Sequence, residues 1–159
     1  MKHYRYNAAA VVVSGKIFCC GGYDTIECYD PSSDVWAHIC YMQQDIYANG
    51  VVEMNGHLIV MGGRNVDRKL FDNVWARDTT NRNSEWIEKT SMYRSCSDFG
   101  IAKIDGKVFI CGGDTYIRQA GYLVQIFDGE TWRYGPRLPN LRIAAPAVVI
   151  PMEFARYLK

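Results

Sequence analysis

The sequence predicts an all-β chain made of repeated four-stranded units, the blades of a β-propeller. Three observations carry this. Three apolar runs stop at adjacent glycines, in "KIFCCGGYD", "HLIVMGGRN" and "KVFICGGDT". A methionine stands 20 residues before each pair: Met1 before Gly21, Met42 before Gly62, Met92 before Gly112. A further glycine falls 14 residues after each methionine, at Gly15, Gly56 and Gly106. Self-similarity at this period is the signature of a repeat architecture.

Each element follows from local chemistry. "SGK", "NGH" and "DGK" each lie between two apolar runs. Asn-Gly and Asp-Gly there signal a type I′ hairpin, whose two central residues need positive φ. The first strands are "AAAVVV", "NGVVEM" and "FGIAKI"; the second are "KIFCC", "HLIVM" and "KVFIC". A third strand, a turn and a fourth strand near Trp36, Trp86 or Trp132 complete each unit. The first strands carry Ala8, Ala9, Gly50 and Gly100. Small side chains suit the narrow inner end of a wedge-shaped blade. The runs "AVVV" and "IFCC" do not alternate, as expected of strands covered on both faces. The three tryptophans are expected between blades, and Trp75, off the pattern, is expected to be exposed.

The units span about 1–42, 43–92 and 93–137, with an extra strand at about 138–150 and a short tail at 151–159. In "LRIAAPAVVI" Leu138 takes the methionine slot and Arg142 the slot of Arg5. Met1 holds the slot of Met42 and Met92, so it reads as an internal repeat methionine, and another blade's tryptophan strand is expected upstream. That use of "AAAVVV" also argues against a signal peptide. Closed propellers have four to eight blades, so three blades form an open or partial ring. If each open face leaves on the order of 500 Å² of apolar surface uncovered, roughly 12 kcal/mol of burial is forgone. Missing blades, a second copy of the chain, another partner, or end faces turned polar are the expected remedies.

Composition narrows function further. The chain has 159 residues and a formal net charge of +1. That balance points to neither nucleic acid nor a membrane surface as partner. No apolar run reaches spanning length. The cysteines at 19, 20, 28, 40, 96 and 111 show neither C-x-x-C nor zinc spacing with histidine. They read as small buried hydrophobes in a reducing compartment, without structural disulfides. No metal or cofactor set is visible, and no catalytic residue is assigned.

The methionine, Arg5 four residues on, Gly15-Lys16, Phe18 and Phe109 three residues before the glycine pairs, and "CYDPSSDVW" resemble the kelch-repeat family. The closest likeness is to the kelch domains of BTB-kelch (kelch-like) proteins, poxvirus versions included. The sequence departs from that pattern at Ile59, at Ile46 and Cys96 in the arginine slot, and in repeat two, which lacks Tyr-Asp-Pro. The resemblance implies a cytoplasmic protein-interaction module. Its lineage is that of substrate adaptors for cullin-3 ubiquitin ligases, though no BTB or BACK segment is present in this sequence. Alternatives are a propeller enzyme of the sugar-mutarotase or oxidase type, or a truncated reading frame without function.

The resemblance places partner binding at one mouth of the ring. The loops after the glycine pairs contribute Tyr23 and Asp24; Arg64, Asn65, Asp67 and Arg68; and Asp114, Tyr116 and Arg118. The loops between blades add Tyr4, Arg5, Tyr47 and Arg94. Tyrosine and arginine are enriched at binding hot spots. Between Gly63 and Trp86 lie 22 residues, against 13 between Gly22 and Trp36. This insertion is expected at blade rims, with residues 64–68 at the mouth.

Overall fold

The computed structural model describes residues 1–117 and 121–150. They form three four-stranded antiparallel sheets in meander order. The first blade comprises β1 (Ala9–Val13), β2 (Lys16–Cys20), β3 (Thr25–Asp30) and β4 (Val35–Tyr41). The second comprises β5 (Gly50–Met54), β6 (His57–Met61), β7 (Val74–Asp78) and β8 (Ile87–Lys89). The third comprises β9 (Gly100–Ile104), β10 (Lys107–Cys111), β11 (Val124–Phe127) and β12 (Trp132–Tyr134). No helix among the described residues is long and apolar enough to cross a membrane.

The hairpins turn as their sequences require. Ser14-Gly15, Asn55-Gly56 and Asp105-Gly106 all have positive φ, from 48° to 77°, the type I′ pattern. Two apolar layers lie between the blades. Val13, Phe18, Cys20 and Ile26 of the first blade pack with Val51, Leu58 and Val60 of the second. Val52, Ile59 and Met61 of the second pack with Val108, Ile110 and Trp132 of the third. The inner strands run close together, which explains their small residues. A Cβ on Gly50 would meet Phe99 and Ile101, and one on Gly100 would lie 2.8 Å from the Ala145 carbonyl oxygen.

The tryptophans act as expected where a preceding blade exists. Trp86 Nε1 donates to the Tyr41 carbonyl (2.9 Å) and Trp132 Nε1 to that of Thr90 (2.8 Å). Trp75 departs from expectation. It lies on β7 opposite Val60, half-buried, with its indole nitrogen buried. Residues 138–150 also differ from expectation. They run beside the third blade without forming a strand. Among the described residues, no strand pairs with them. The expected tail, 151–159, lies outside the described residues.

Arg5 is the main correction to the partner-binding set. Its side chain is 1% exposed and pairs with fully buried Glu27 at 3.0 Å. The guanidinium also donates to the carbonyls of Gly21 (3.0 Å) and Thr25 (2.7 Å). Arg5 is therefore a structural ion pair inside the first blade. Burial raises the Glu27 pKa, but the Lys2 N–H and Arg5 outweigh it, so the carboxyl sits below its ordinary value. Glu27, Trp75 and Gln125 share one slot, each opposite the residue two before its glycine pair: Cys19, Val60 and Ile110. Arg5, Ile46 and Cys96 share the facing slot. In the third blade Gln125 bonds Arg94 N–H (2.9 Å), the Arg94 carbonyl (3.2 Å) and Cys96 Sγ (3.9 Å).

Two outcomes follow. Arg5→Cys alone strands a buried carboxylate and should cost about 3–5 kcal/mol. Adding Glu27→Gln recreates the pairing of the third blade and should restore about 1–3 kcal/mol, read from urea midpoints in a double-mutant cycle. Because the Glu27 pKa is lowered on folding, its contribution is present above the unfolded value, about 4.3, and is lost as pH falls through the folded one. Glu27→Gln should flatten the loss of stability with acid in that window.

Candidate functional site

The mouth is built on the glycine pairs. All six glycines have positive φ, from 58° to 102°. A Cβ on Gly63 would lie 2.8 Å from the Tyr47 carbonyl oxygen, and one on Gly113 2.7 Å from that of Ser97. Only glycine allows this approach. The next residue then pairs with the segment leading into its own blade, as Tyr47 with Arg64 and Ser97 with Asp114. The backbone thus fixes where side chains 64 and 114 leave the rim.

Two groups of expected residues come together. Between the second and third blades, Arg64, Arg68, Leu70, Asp114, Thr115 and Tyr116 line an open cleft of about 400 Å³. Arg64 is half-buried and paired with Asp98, and its Nη1 also donates to Ser97 Oγ (3.2 Å). Ser97 Oγ donates to the same carboxylate (2.8 Å). Tyr116 is 69% exposed, and its hydroxyl accepts the Leu70 N–H (2.8 Å). Arg68 is exposed, and its backbone is left-handed at φ 62°. Asn65 serves the loop instead, its side-chain oxygen accepting the Lys69 N–H (2.9 Å). Asp67 is exposed beside it.

The second group is aromatic and lies toward the first blade. Tyr6 stacks on Tyr47 at 4.9 Å, and His3 on Tyr23 at 4.4 Å. The Tyr47 hydroxyl donates to Asp45 (3.2 Å). Tyr4 is 87% exposed and Asp24 is exposed. Arg94 has its backbone gripped by Gln125 while the residue is exposed. Arg118 lies outside the described residues.

Sequence reasoning missed Tyr6, Ser97 and Asp98. A signal existed, because Tyr6, Tyr47 and Ser97 share the fifth position after the repeat methionine. The insertion also behaves differently from a free loop. Phe71 N–H donates back to the Gly63 carbonyl (2.9 Å), and the Phe71 carbonyl accepts the Cys96 N–H (3.3 Å). Residues 64–70 therefore form a closed rim loop, with a turn in which Arg68 N–H donates to the Asn65 carbonyl (3.1 Å).

The cysteines are free thiols. Burial pushes Cys20 up and Cys96 up to about 12, so both stay protonated near neutral pH and act as packing groups.

Comparisons with known proteins agree with this architecture. The Kelch motif family matches residues 4–43. Kelch-like protein 26 of Danio rerio is 25% identical over 95% of this chain and 27% of its own length. Kelch-like protein 36 of Mus musculus is 23% identical over 96% of this chain and 27% of its own length. The solved structure of YjhT superposes with a TM-score of 0.75 at 12% identity, covering 87% of this chain and 53% of that one. The fold and these matches define a β-propeller segment. The chain carries a Kelch motif at residues 4–43 and is similar to kelch-like proteins over most of its length. It spans about a quarter of the length of the curated relatives it matches.

The cleft pairing can be measured directly. Both partners are partly exposed, 26% and 18%, so the pair lies nearer the surface regime than the buried one. Arg64→Ala and Asp98→Ala should each cost about 1 kcal/mol, with a coupling of about 0.5–1 kcal/mol that shrinks in high salt. Urea unfolding of the two single variants and the double variant checks it.

Proposed function

We propose that this chain is a non-enzymatic protein-interaction module that binds a protein partner at the glycine-pair mouth. The observation that supports this most directly is the cleft between the second and third blades. Its walls are fixed by backbone pairing, while exposed Arg68, Asp114 and Tyr116 project from it. A rigid rim carrying aromatic and charged side chains suits recognition of another protein. The aromatic group of Tyr4, Tyr23 and Tyr47 extends the same rim toward the first blade.

The similarity to kelch-like proteins supports a finer reading. The segment serves as the substrate-binding part of a cytoplasmic adaptor for a cullin-3 ubiquitin ligase. The ligase-binding portion would lie in another part of a longer protein or on a separate chain.

The test uses a partner first identified by cross-linking in cells and then purified. Replacing Arg68 and Tyr116 together with alanine should weaken its binding by roughly tenfold or more, while thermal unfolding changes little. Arg64→Ala should weaken binding less cleanly, because it also releases Asp98. Unchanged affinity of the Arg68/Tyr116 variant would overturn the assignment of this cleft.

A further inference from the structure

Arg77 occupies a slot that the other two blades fill with rings. It lies opposite Leu58 on β6, as Tyr29 lies opposite Ile17 and Phe127 opposite Val108. Leu58 packs with the first blade, and Val108 and Phe127 with the second, so the slot faces the preceding blade. Phe127 is fully buried there and stacks on Trp132 at 4.8 Å. Tyr29 packs on Trp36 at 5.2 Å. Arg77 is half-buried and brings a guanidinium to the same depth.

The guanidinium borders a partly enclosed recess of about 130 Å³ between the first and second blades. Phe18, Ile26, Cys28 and Leu58, all buried, form its floor. Exposed Lys16 and Arg82 stand at its rim. The charges there are unequally satisfied. Lys16 pairs with Asp30 at 2.8 Å. Asp78, also in the lining, accepts the Thr80 N–H and hydroxyl on Oδ1, each at 2.7 Å. Arg77 Nη2 donates to the Arg82 carbonyl (2.9 Å), which uses one donor of a five-donor fork. Among the described residues, no carboxylate lies within ion-pair distance of Arg77 or Arg82.

The interface between the second and third blades supplies a comparison. It has a recess at the same place, with Ile59 in the slot of Phe18 and Ala76 in that of Cys28. There Phe127 stands where Arg77 stands, and the lysine, Lys89, pairs with Glu130 at 3.2 Å. Both of these interfaces therefore have a recess, and the first alone holds a guanidinium without a carboxylate.

An arginine fork matches a carboxylate through two parallel hydrogen bonds. An apolar cavity of about 150 Å³ accepts benzene, and this recess is close to that size. We propose that the recess binds a small carboxylic acid with one compact apolar group. The carboxylate lies against Arg77 and Arg82, and the apolar group rests on Phe18, Cys28 and Leu58. The recess shares no residue with the partner-binding mouth, and this inference is independent of that reading.

The test uses the full chain with benzoate as the probe, in an amide chemical-shift titration by NMR. Benzoate should saturate with a Kd in about the millimolar range, shifting the amides of Cys28, Arg77 and Arg82. Benzyl alcohol keeps the ring and acetate keeps the charge; each should bind roughly tenfold or more weakly. Arg77→Phe restores the ring of the other blades and should abolish saturation, with thermal unfolding unchanged or raised. Arg77→Met keeps the recess and should remove the preference for benzoate over benzyl alcohol. No saturable shift at the recess, or equal benzoate affinity of wild type and Arg77→Met, would overturn the proposal. Saturation centred on Arg64 and Tyr116 would overturn it too, because the site would lie elsewhere. Should Arg77→Phe fail to fold, Arg77→Met decides.

Discussion

The contact on which the structure depends is the backbone bond from the second glycine of each pair to the segment that follows its blade. It occurs three times with one length, 2.8 Å. Each such bond contributes about 1 kcal/mol net, but a buried N–H left without it costs about 1–3 kcal/mol. The glycines are needed because a Cβ at either position would collide with a carbonyl oxygen. At Gly62 that oxygen belongs to Cys96 of the next blade (2.8 Å), and at Gly63 to Tyr47 of the same blade's lead-in (2.8 Å). The pair is thus a two-sided joint, one glycine against its own blade and one against its neighbour. The methionine slot belongs to the same joint. Met42 Sδ lies 3.3 Å from the Gly21 nitrogen, and the Met92 methyl rests on Gly62. These contacts join each methionine to the glycine pair of the preceding blade.

Side chains near this joint have changed in concert from blade to blade. The first blade fills the facing slots with Arg5 and Glu27, the second with Ile46 and Trp75, the third with Cys96 and Gln125. A buried ion pair must offset the desolvation of both charges, and replacing the two together with apolar groups can be neutral or favourable. Replacing one alone is costly. The second blade shows an uncharged, mostly apolar solution, where Ile46 and Trp75 line one small cavity with Met42, Gln43, Gln44, Val60 and Trp86. The third shows an uncharged polar solution. A departure from the family pattern at position 46 or 96 is therefore answered at position 75 or 125.

What could be read from the sequence was whatever is local. The type I′ turns, the glycine pairs and the constant offsets each involve residues close in the chain, and together with the tryptophans they placed the twelve strands of the described residues and the blade order. Trp75 was misread because its partner slot lies 29 residues earlier, at Ile46, and the pairing shows only when three repeats are compared through space. Arg5 was misread for a related reason. An arginine in a loop next to the rim reads as exposed, and its burial depends on Glu27 across the blade. The ties from Arg64 to Ser97 and Asp98 cross between blades, so single-repeat reasoning could not reach them. Residues 138–150 carry a first strand's sequence, but no second strand among the described residues pairs with them. Strand pattern states a capacity, and a ladder needs a neighbour.

The same joint explains why variation gathers at the mouth. The residue after each pair is Tyr23, Arg64 or Asp114: an aromatic, a cation and an anion in one slot. Its backbone is held by the glycines before it and, in the second and third blades, by pairing with Tyr47 and Ser97. Its side chain is less constrained, since the slot opens on the rim, though Arg64 pairs there with Asp98 and Tyr23 stacks on His3. On the opposite side of the blade the hairpin turns are confined to Ser-Gly, Asn-Gly and Asp-Gly, because the φ angles themselves restrict the choice. One end of each blade is therefore fixed in chemistry, while the other is fixed in position and free in chemistry. A recognition surface needs the second arrangement, and the glycine pairs supply it.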